Sequence, residues 1–479
     1  MSKVATFFGL KQANEDILQL AGRLAILLPI VSATIQLSTT FFMIFVAEAL
    51  GGGSYIEGLA LVGVLVVIQM GIQTILDYPT GALGDYIGQR YVITGAFLSF
   101  ALGFYLVSFV NTSTPFLYLV LIYALMGLGN SQMSGSFNAW FDNNYRAAMP
   151  GDTERKQYGV FWGKVGMLFQ VVATASLIPG GILAVVLGRS WVFQLQAILC
   201  VVIAIVVMFV VQDFPEVAAM RTERPSMSEY KNLLGSGVRF LFSSKFVKHL
   251  VIGGCVLMSA TMVWGNLILF PMYFSYLLTD VAVSSFRTVL FLPGVVTSER
   301  SGVWAKRFEP QKWIPRFRAL QSGGFIFYLS FAFIMLAFPP ADTGVMMQVM
   351  IPFTQIIFLE LPASNVLPIL FMTATFVFTG LFGGIAEILT QRELLDVIPN
   401  EIRNSMYSLA PTIGTIIAIP QIALFGWLIS VVGFPFTLMI VSIVSLCGMM
   451  LVRDGLRHPK PVLEDKSETS LISKEVAAD

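Results

Sequence analysis

A few polar residues interrupt a strongly apolar chain, and their types limit the chemistry open to it. Glu48 and Glu387 fall within long hydrophobic stretches. A carboxyl taken out of water favours its neutral form, so each is a candidate proton carrier. Each also reads as an interfacial carboxylate still in water. Gln69, Gln73 and Asp77 are four apart and so share one helix face. Amides facing lipid are costly, so this stripe must face protein or a water-filled cavity. Hydrogen bonding between helices is its other reading. Asp77 also opens the stretch 77–90, which carries Pro79, Thr80, Gly81, Leu83, Gly84, Asp85, Gly88 and Arg90. It reads as a short polar turn between the apolar runs 57–76 and 91–110, with glycines that let helix ends approach and permit positive φ. Asp142 ends a second polar stretch that starts at Ser134 and Gly135.

These residues are positioned by helices that cross a membrane. Of 479 residues, 56% are hydrophobic and 12% charged. That charge fraction is about half of what a soluble domain carries. The mean hydropathy is +0.78. Twelve apolar spans are read, at 25–49, 57–79, 91–111, 115–140, 160–187, 190–212, 247–278, 282–303, 317–338, 367–391, 405–429 and 433–452. Each reaches roughly the 20 residues a spanning helix needs. The eighth has a short core, interrupted by Pro293. Residues 1–23 are polar and of mixed charge, which argues against a cleaved signal peptide.

With both termini inside, the outer loops hold only Arg189 and Arg287, leaving 27 of the 29 Lys and Arg on the inner side. This bias sets the orientation. Asn111-Thr112-Ser113 is formally a glycosylation sequon but hugs the membrane. The chain divides into a six-helix half over 1–212, an inner connection over 213–246, a second half over 247–452 and a polar tail over 453–479. The connection mixes basic with apolar residues and reads as amphipathic, lying on the inner leaflet. The segment 339–366 has no counterpart in the first half. Its apolar run from Val345 to Leu361 lies between Pro339-Pro340 and Pro362. It reads as an outer-face cap or interfacial helix, with a thirteenth span as the alternative.

The pattern Gly81-x-Leu83-x-Asp85-x-x-Gly88-x-Arg90 resembles the signature between helices 2 and 3 of major facilitator superfamily transporters. A weaker copy, from Gly302 to Arg307, follows the eighth span 221 positions later and carries Lys306 where Asp85 stands. The resemblance implies an all-α fold of twelve transmembrane helices in two six-helix repeats. It also implies alternating access by rocking of the halves. By resemblance, Asp85 caps the start of helix 11 near Arg403-Asn404-Ser405, and Asp142 holds Arg90. Asp77, Gly81, Asp85, Gly88, Arg90 and Asp142 then form an inner gate. The alternative is a solvated loop whose charges only set topology.

The resemblance also places helices 1, 4, 7 and 10 around a central cavity. Candidate lining residues are Gln36 and Thr40, Asn130 and Gln132, Trp264 and Asn266, Thr375 and Thr379, joined by Gln69, Gln73 and Gln170. The set is rich in amides and hydroxyls. No Lys or Arg is read at mid-depth, which argues against a multi-anionic solute. The fourth span lacks the arginine that many proton-coupled relatives carry, and Pro179-Gly180-Gly181 is only a fragment of the antiporter motif.

The expectation is therefore a secondary active transporter of the cell membrane with both termini cytoplasmic. It reads as a monomer that moves a small organic solute, with proton-coupled export of a neutral or amphipathic compound as the specific form. A uniporter, or a receptor or scaffold on the same fold, is the alternative. No nucleotide loop, nucleophile constellation or nucleic-acid partner is read, so no enzyme and no cofactor is expected. The two histidines, His249 and His458, are too few for a histidine-based metal site, and the three cysteines lie in apolar runs.

Overall fold

The computed structural model describes residues 3–10, 13–149, 151, 156–219, 235–288, 290, 307–350, 353, 355, 357–398 and 403–461. A short helix α1 (Lys3–Phe8) precedes α2 (Glu15–Gln36). Asn14 caps α2, its side chain accepting from Ile17 N at 2.9 Å, and Glu15 and Asp16 favour the start through the helix dipole. The first span thus begins ten residues before the expected position. It also breaks at 37–41 before resuming as α3 (Phe42–Leu50). Helices α4 (Tyr55–Ile87), α5 (Gln89–Val107), α6 (Phe116–Met133), α7 (Ser136–Ala148), α8 (Lys156–Leu187) and α9 (Arg189–Val210) complete the first half.

The stretch 77–90 is not a turn. The α4 helix runs 33 residues, through Pro79, Gly81 and Gly84, to Ile87. At 1.5 Å per residue it is about 50 Å long, against a hydrocarbon core of about 30 Å, so its polar end projects from the lipid as helix. Thr80 helps carry the helix past Pro79, donating to Leu76 O at 2.8 Å and to Ser131 O of α6 at 3.0 Å. The reversal falls on Gly88 alone, at φ 105°. A second break, at Gly135 (φ 70°), divides the fourth span into α6 and α7.

The expected amphipathic connection is described at its two ends, as α10 (Pro215–Ala219) and α11 (235–241), and its middle, 220–234, lies outside the described residues. The second half holds α12 (Lys245–Val263), a π-turn at Trp264–Ile268, α13 (Leu269–Leu277), α14 (280–288), α15 (Pro310–Leu320), α16 (Phe325–Ala337) and α17 (Val366–Leu395). Helix α18 (Arg403–Gly455) is two spans joined at Gly433, at φ 79°. The inner part of the eighth span and the weaker signature copy at 302–306 lie outside the described residues. The protein is a bundle of membrane-crossing helices in two halves, with both described ends at one face, here the terminal face.

Between α16 and α17, on the opposite face, the segment read as an outer-face cap or interfacial helix is an antiparallel hairpin. Strand β1 (Met346–Met350) pairs with β2 (Ile357–Pro362), Val349 facing Leu359. Pro352 and Gln355 divide this stretch into two short apolar runs, a length that fits strands better than a helix. Asn365 anchors its base, donating to Tyr276 O at 2.9 Å and Ala341 O at 2.8 Å while accepting from Ala341 N at 3.0 Å.

The halves meet where side chains are absent. A Cβ on Gly63 of α4 would lie 2.9 Å from Ile422 O of α18, and one on Gly426 would lie 2.8 Å from Leu59 O. Across the bundle, a Cβ on Gly181 of α8 would lie 2.8 Å from Asp280 O of α14. The neighbouring Gly180 packs on Leu37 O so closely that no side chain fits, which gives α8 a seat in the break of the first span. Pro179-Gly180-Gly181 is therefore a packing surface for two neighbours.

Candidate functional site

Between the halves lies a cavity of about 460 Å³. Helix α4 contributes Gln69, Gln73 and Thr74, α6 contributes Asn130 and Met126, and the break of the first span contributes Ser38 and Thr39. The π-turn of α12 widens the helix by one residue and brings Gly265 and Asn266 to the wall. Thr415 of α18 and the rings of Phe42, Phe100, Phe104, Tyr123 and Phe270 complete it, with Met43, Met70 and Met262. None of the described lining residues is charged.

Four of the anticipated residues, Gln69, Gln73, Asn130 and Asn266, come together on this wall. The others have different neighbours. Thr40 is buried and shares a 2.8 Å hydrogen bond with Ser284. Gln132 packs on Gly95 of α5. Trp264 is buried among Phe327, Tyr328 and Phe331. Thr379 is bound to Ser322 at 3.0 Å and donates to Thr375 O at 2.8 Å. Gln36 ends α2, and Gln170 gives its carbonyl to Thr174. The aromatic and methionine part of the wall was missed because such residues are common on every span. Only their convergence marks them.

At the opposite face the halves are tied by charge. Arg189, at the start of α9, holds Asp280 of α14 through both ends of its guanidinium, at 2.7 and 2.9 Å, and Glu48 of α3 at 2.6 Å. Such a fork-to-fork pair fixes geometry as well as charge. The Arg189 side chain is 16% exposed and Asp280 7%. Glu48, read as a proton carrier, is thus one arm of an ion-pair cluster. Asp280 was missed, although the scarcity of basic residues on this face implied a dedicated partner for Arg189. Thr40–Ser284 and Thr288 Oγ1 to Thr174 O, at 3.0 Å, add polar contacts between halves. Arg287 is not in a loop. It lies seven residues into α14, about 10 Å below the face, with its guanidinium 5.5 Å from the Phe376 ring centre. The second half thus carries a partly buried cation within a helix rather than in an outer loop.

At the terminal face the expected gate residues make contacts within the first half. Asp85 accepts from Gln89 at 3.2 Å, and Asp77 lies against Ser134. Arg90 donates to Tyr91 Oη at 2.6 Å and stacks over that ring, whereas Asp142 pairs with Arg146 at 2.8 Å. Among the described contacts, Arg90 and Asp142 each meet a local partner. Gly81 lies inside α4 and Gly88 at its end. The side chains of Arg403, Asn404 and Ser405, expected opposite Asp85, lie outside the described set.

A second cavity, of about 490 Å³, lies within the second half toward the terminal face. Arg318 of α15 is buried there, donating to Glu387 at 2.8 Å, Thr390 at 3.0 Å and Gln321 at 3.2 Å. The remaining oxygen of Glu387 accepts from Gln391 at 3.2 Å. Nothing in the sequence pattern singles out Arg318. Nearby, Lys460 reaches Glu393 at 2.8 Å and Asp396 at 3.5 Å. Burial would lower the Lys460 ammonium, but these carboxylates outweigh it and hold it above its ordinary value. The two histidines, judged too few for a metal site, both reach Asp454, His249 at 2.7 Å and His458 at 3.5 Å. A fold that packs the start of α12 on the end of α18 makes neighbours of residues 209 positions apart.

The Major Facilitator Superfamily model matches residues 24–368. The chain belongs to the Major Facilitator Superfamily. Solved members of that fold superpose over nearly the whole chain. The nucleoside transporter NupG matches with a TM-score of 0.63 at 12% identity, over 92% of this chain and 100% of its own. An auto-inhibited peptide transporter of the POT family matches at 0.64 and 10% identity, over 93% of this chain and 98% of its own. At such identities the likeness concerns the fold. No curated protein sequence matches the chain. This superfamily member is a multi-pass membrane protein and a transporter.

Proposed function

We propose that the chain moves an uncharged, amphipathic organic solute by alternating access, as a proton-coupled exporter with its terminal face in the cytoplasm. The observation that carries this reading is the lining of the central cavity. Amides and hydroxyls from Gln69, Gln73, Asn130, Asn266 and Thr415 meet aromatic rings and methionines, with no charge among the described wall residues. Such a wall rewards a flat or apolar surface on one side of a solute and hydrogen-bonding groups on the other. Methionines adapt to varied shapes. A nucleoside, with a base beside a polyhydroxyl sugar, fits that description; a phosphate or a free polyanion does not.

The halves are tied at the opposite face by Arg189, Asp280 and the glycine crossings, which supports a state closed to that side. Glu387 is the candidate carrier in preference to Glu48. It is the carboxylate that Arg318, a buried cation, holds at 2.8 Å, and its half-exposed side chain gives it access to water. The concentration of Lys and Arg near the terminal face supports its cytoplasmic placement.

The test is flux in proteoliposomes with nucleosides, other neutral amphiphiles, peptides and organic anions under an imposed proton gradient. Uncharged solutes are expected to move with protons, Asn130→Ala or Gln73→Ala to reduce flux at least tenfold, and Glu387→Gln to abolish proton movement. Preference for anions, or flux indifferent to both cavity variants, would sink the proposal. No flux of any solute would favour the receptor or scaffold reading.

A further inference from the structure

We propose that His249, Asp454 and His458 form a binding site for a divalent transition-metal ion of the zinc type. The chain has only two histidines, and both converge on one carboxylate. His249 Nδ1 lies 2.7 Å and His458 Nε2 3.5 Å from Asp454 Oδ2, and the donor atoms of the three residues all fall within 4.8 Å of one another. Zinc bonds of about 2.0–2.1 Å in tetrahedral geometry set ligand atoms about 3.4 Å apart. The three atoms already lie close to that spacing.

The scaffold that presents them is tightly set. A Cβ on Gly455 would lie 2.8 Å from Leu250 N and 3.2 Å from His249 Cβ, and one on Gly448 would lie 3.0 Å from Gly253 O. The ends of α12 and α18 are thus in backbone contact beside the cluster. His458 N bonds to Gly455 O at 3.1 Å, which fixes the turn that carries its ring back over Asp454. Lys460 anchors the chain just beyond. The site therefore draws donors from two helices held by packing that needs no ion.

Imidazole and carboxylate donors select zinc, nickel or copper over magnesium or calcium, which prefer all-oxygen shells. Three protein donors leave a position for water. The side chains are 25%, 48% and 32% exposed for His249, Asp454 and His458, so an ion enters from water without opening the fold. Lys248, Arg453 and Arg457 are sequence neighbours of the ligands and keep the affinity modest. The bound ion staples the first span of the second half to its last.

The experiment uses full-length protein without a histidine tag, stripped with chelator, in detergent. Zinc is titrated by calorimetry with magnesium as control. The expected result is one zinc per chain, no heat from magnesium and a raised thermal midpoint with zinc. Asp454→Asn and His458→Gln should each weaken zinc at least tenfold while leaving the zinc-free midpoint near wild type. Cobalt added to the unmodified protein should give visible bands of a histidine-bound, low-coordinate ion, which needs no variant to fold. Absence of zinc binding, binding unchanged by His458→Gln, or a cobalt spectrum of the hydrated ion would each overturn the proposal and leave an Asp–His hydrogen-bond cluster.

Discussion

Replacing Asp280 with Asn removes the charge from the most buried arm of the cluster at the opposite face. Arg189 then keeps Glu48 as its sole carboxylate partner. Breaking a buried ion pair from one side costs about 3–5 kcal/mol. Arg189 retains some solvent and one partner, at 16% exposure, so the loss here is about 2–3 kcal/mol. The cluster joins α3 and α9 of one half to α14 of the other. It therefore stabilises only the arrangement in which this face is closed. At 1.4 kcal/mol per tenfold, the open population should rise about 30- to 140-fold. The assay is labelling of Thr39→Cys, on the cavity wall, by an impermeant maleimide applied from the opposite face. Cys200, Cys255 and Cys447 are replaced first. While open states remain rare, the labelling rate follows their population. Glu48→Gln, which removes a more exposed single contact, should raise the rate only a few fold. The exchange Arg189→Asp with Asp280→Arg should restore much of the wild-type rate. An unchanged rate in Asp280→Asn would refute the idea that this cluster holds the face shut.

Gly63→Ala should lower the thermal midpoint by several degrees, because overpacking costs about 1–3 kcal/mol; Gly71→Ala, with open space around it, should not. Asn365→Leu strands the backbone groups of Tyr276 and Ala341, each worth about 1–3 kcal/mol when buried and unsatisfied. It should make the hairpin the first site of limited proteolysis. Lys460 has a folded-state pKa above its unfolded value, so its stabilisation is complete below the unfolded pKa of about 10.4 and fades as pH rises through the folded value. The midpoint difference between wild type and Lys460→Met should accordingly stay constant through neutral pH and shrink as pH rises past the raised folded-state value.

Hydropathy and charge bias revealed the spans because lipid imposes them directly. The run 57–76 is apolar for that reason. Whether 77–87 continues as helix depends on what packs beside it, and glycine is neutral evidence there. The Gly81–Arg90 spacing identified the family, although the structure gives its charges local partners. The break at 37–41 exists because Gly180 seats against Leu37 O, a contact between residues far apart in sequence. Gln69, Gln73, Asn130 and Asn266 could be picked out because amides are rare in spans. Phe42, Phe100 and Phe270 could not, since rings line lipid as readily as cavities. Asp280, Arg318 and His249 act through tertiary partners that no spacing along the chain announces; only Asp454 and His458, four apart, are neighbours by sequence.

Alternating access is tested most directly by distances across both faces. Spin-label pairs Thr112→Cys with Val431→Cys, on the opposite face, and Arg146→Cys with Lys312→Cys, on the terminal face, span the two halves. Double electron–electron resonance on wild type and on the Asp280→Asn variant then reads both ends of the molecule. The account predicts that the variant lengthens the opposite-face distance and shortens the terminal-face distance in the same population. Distances that stay fixed at both faces, or lengthen together, would contradict it.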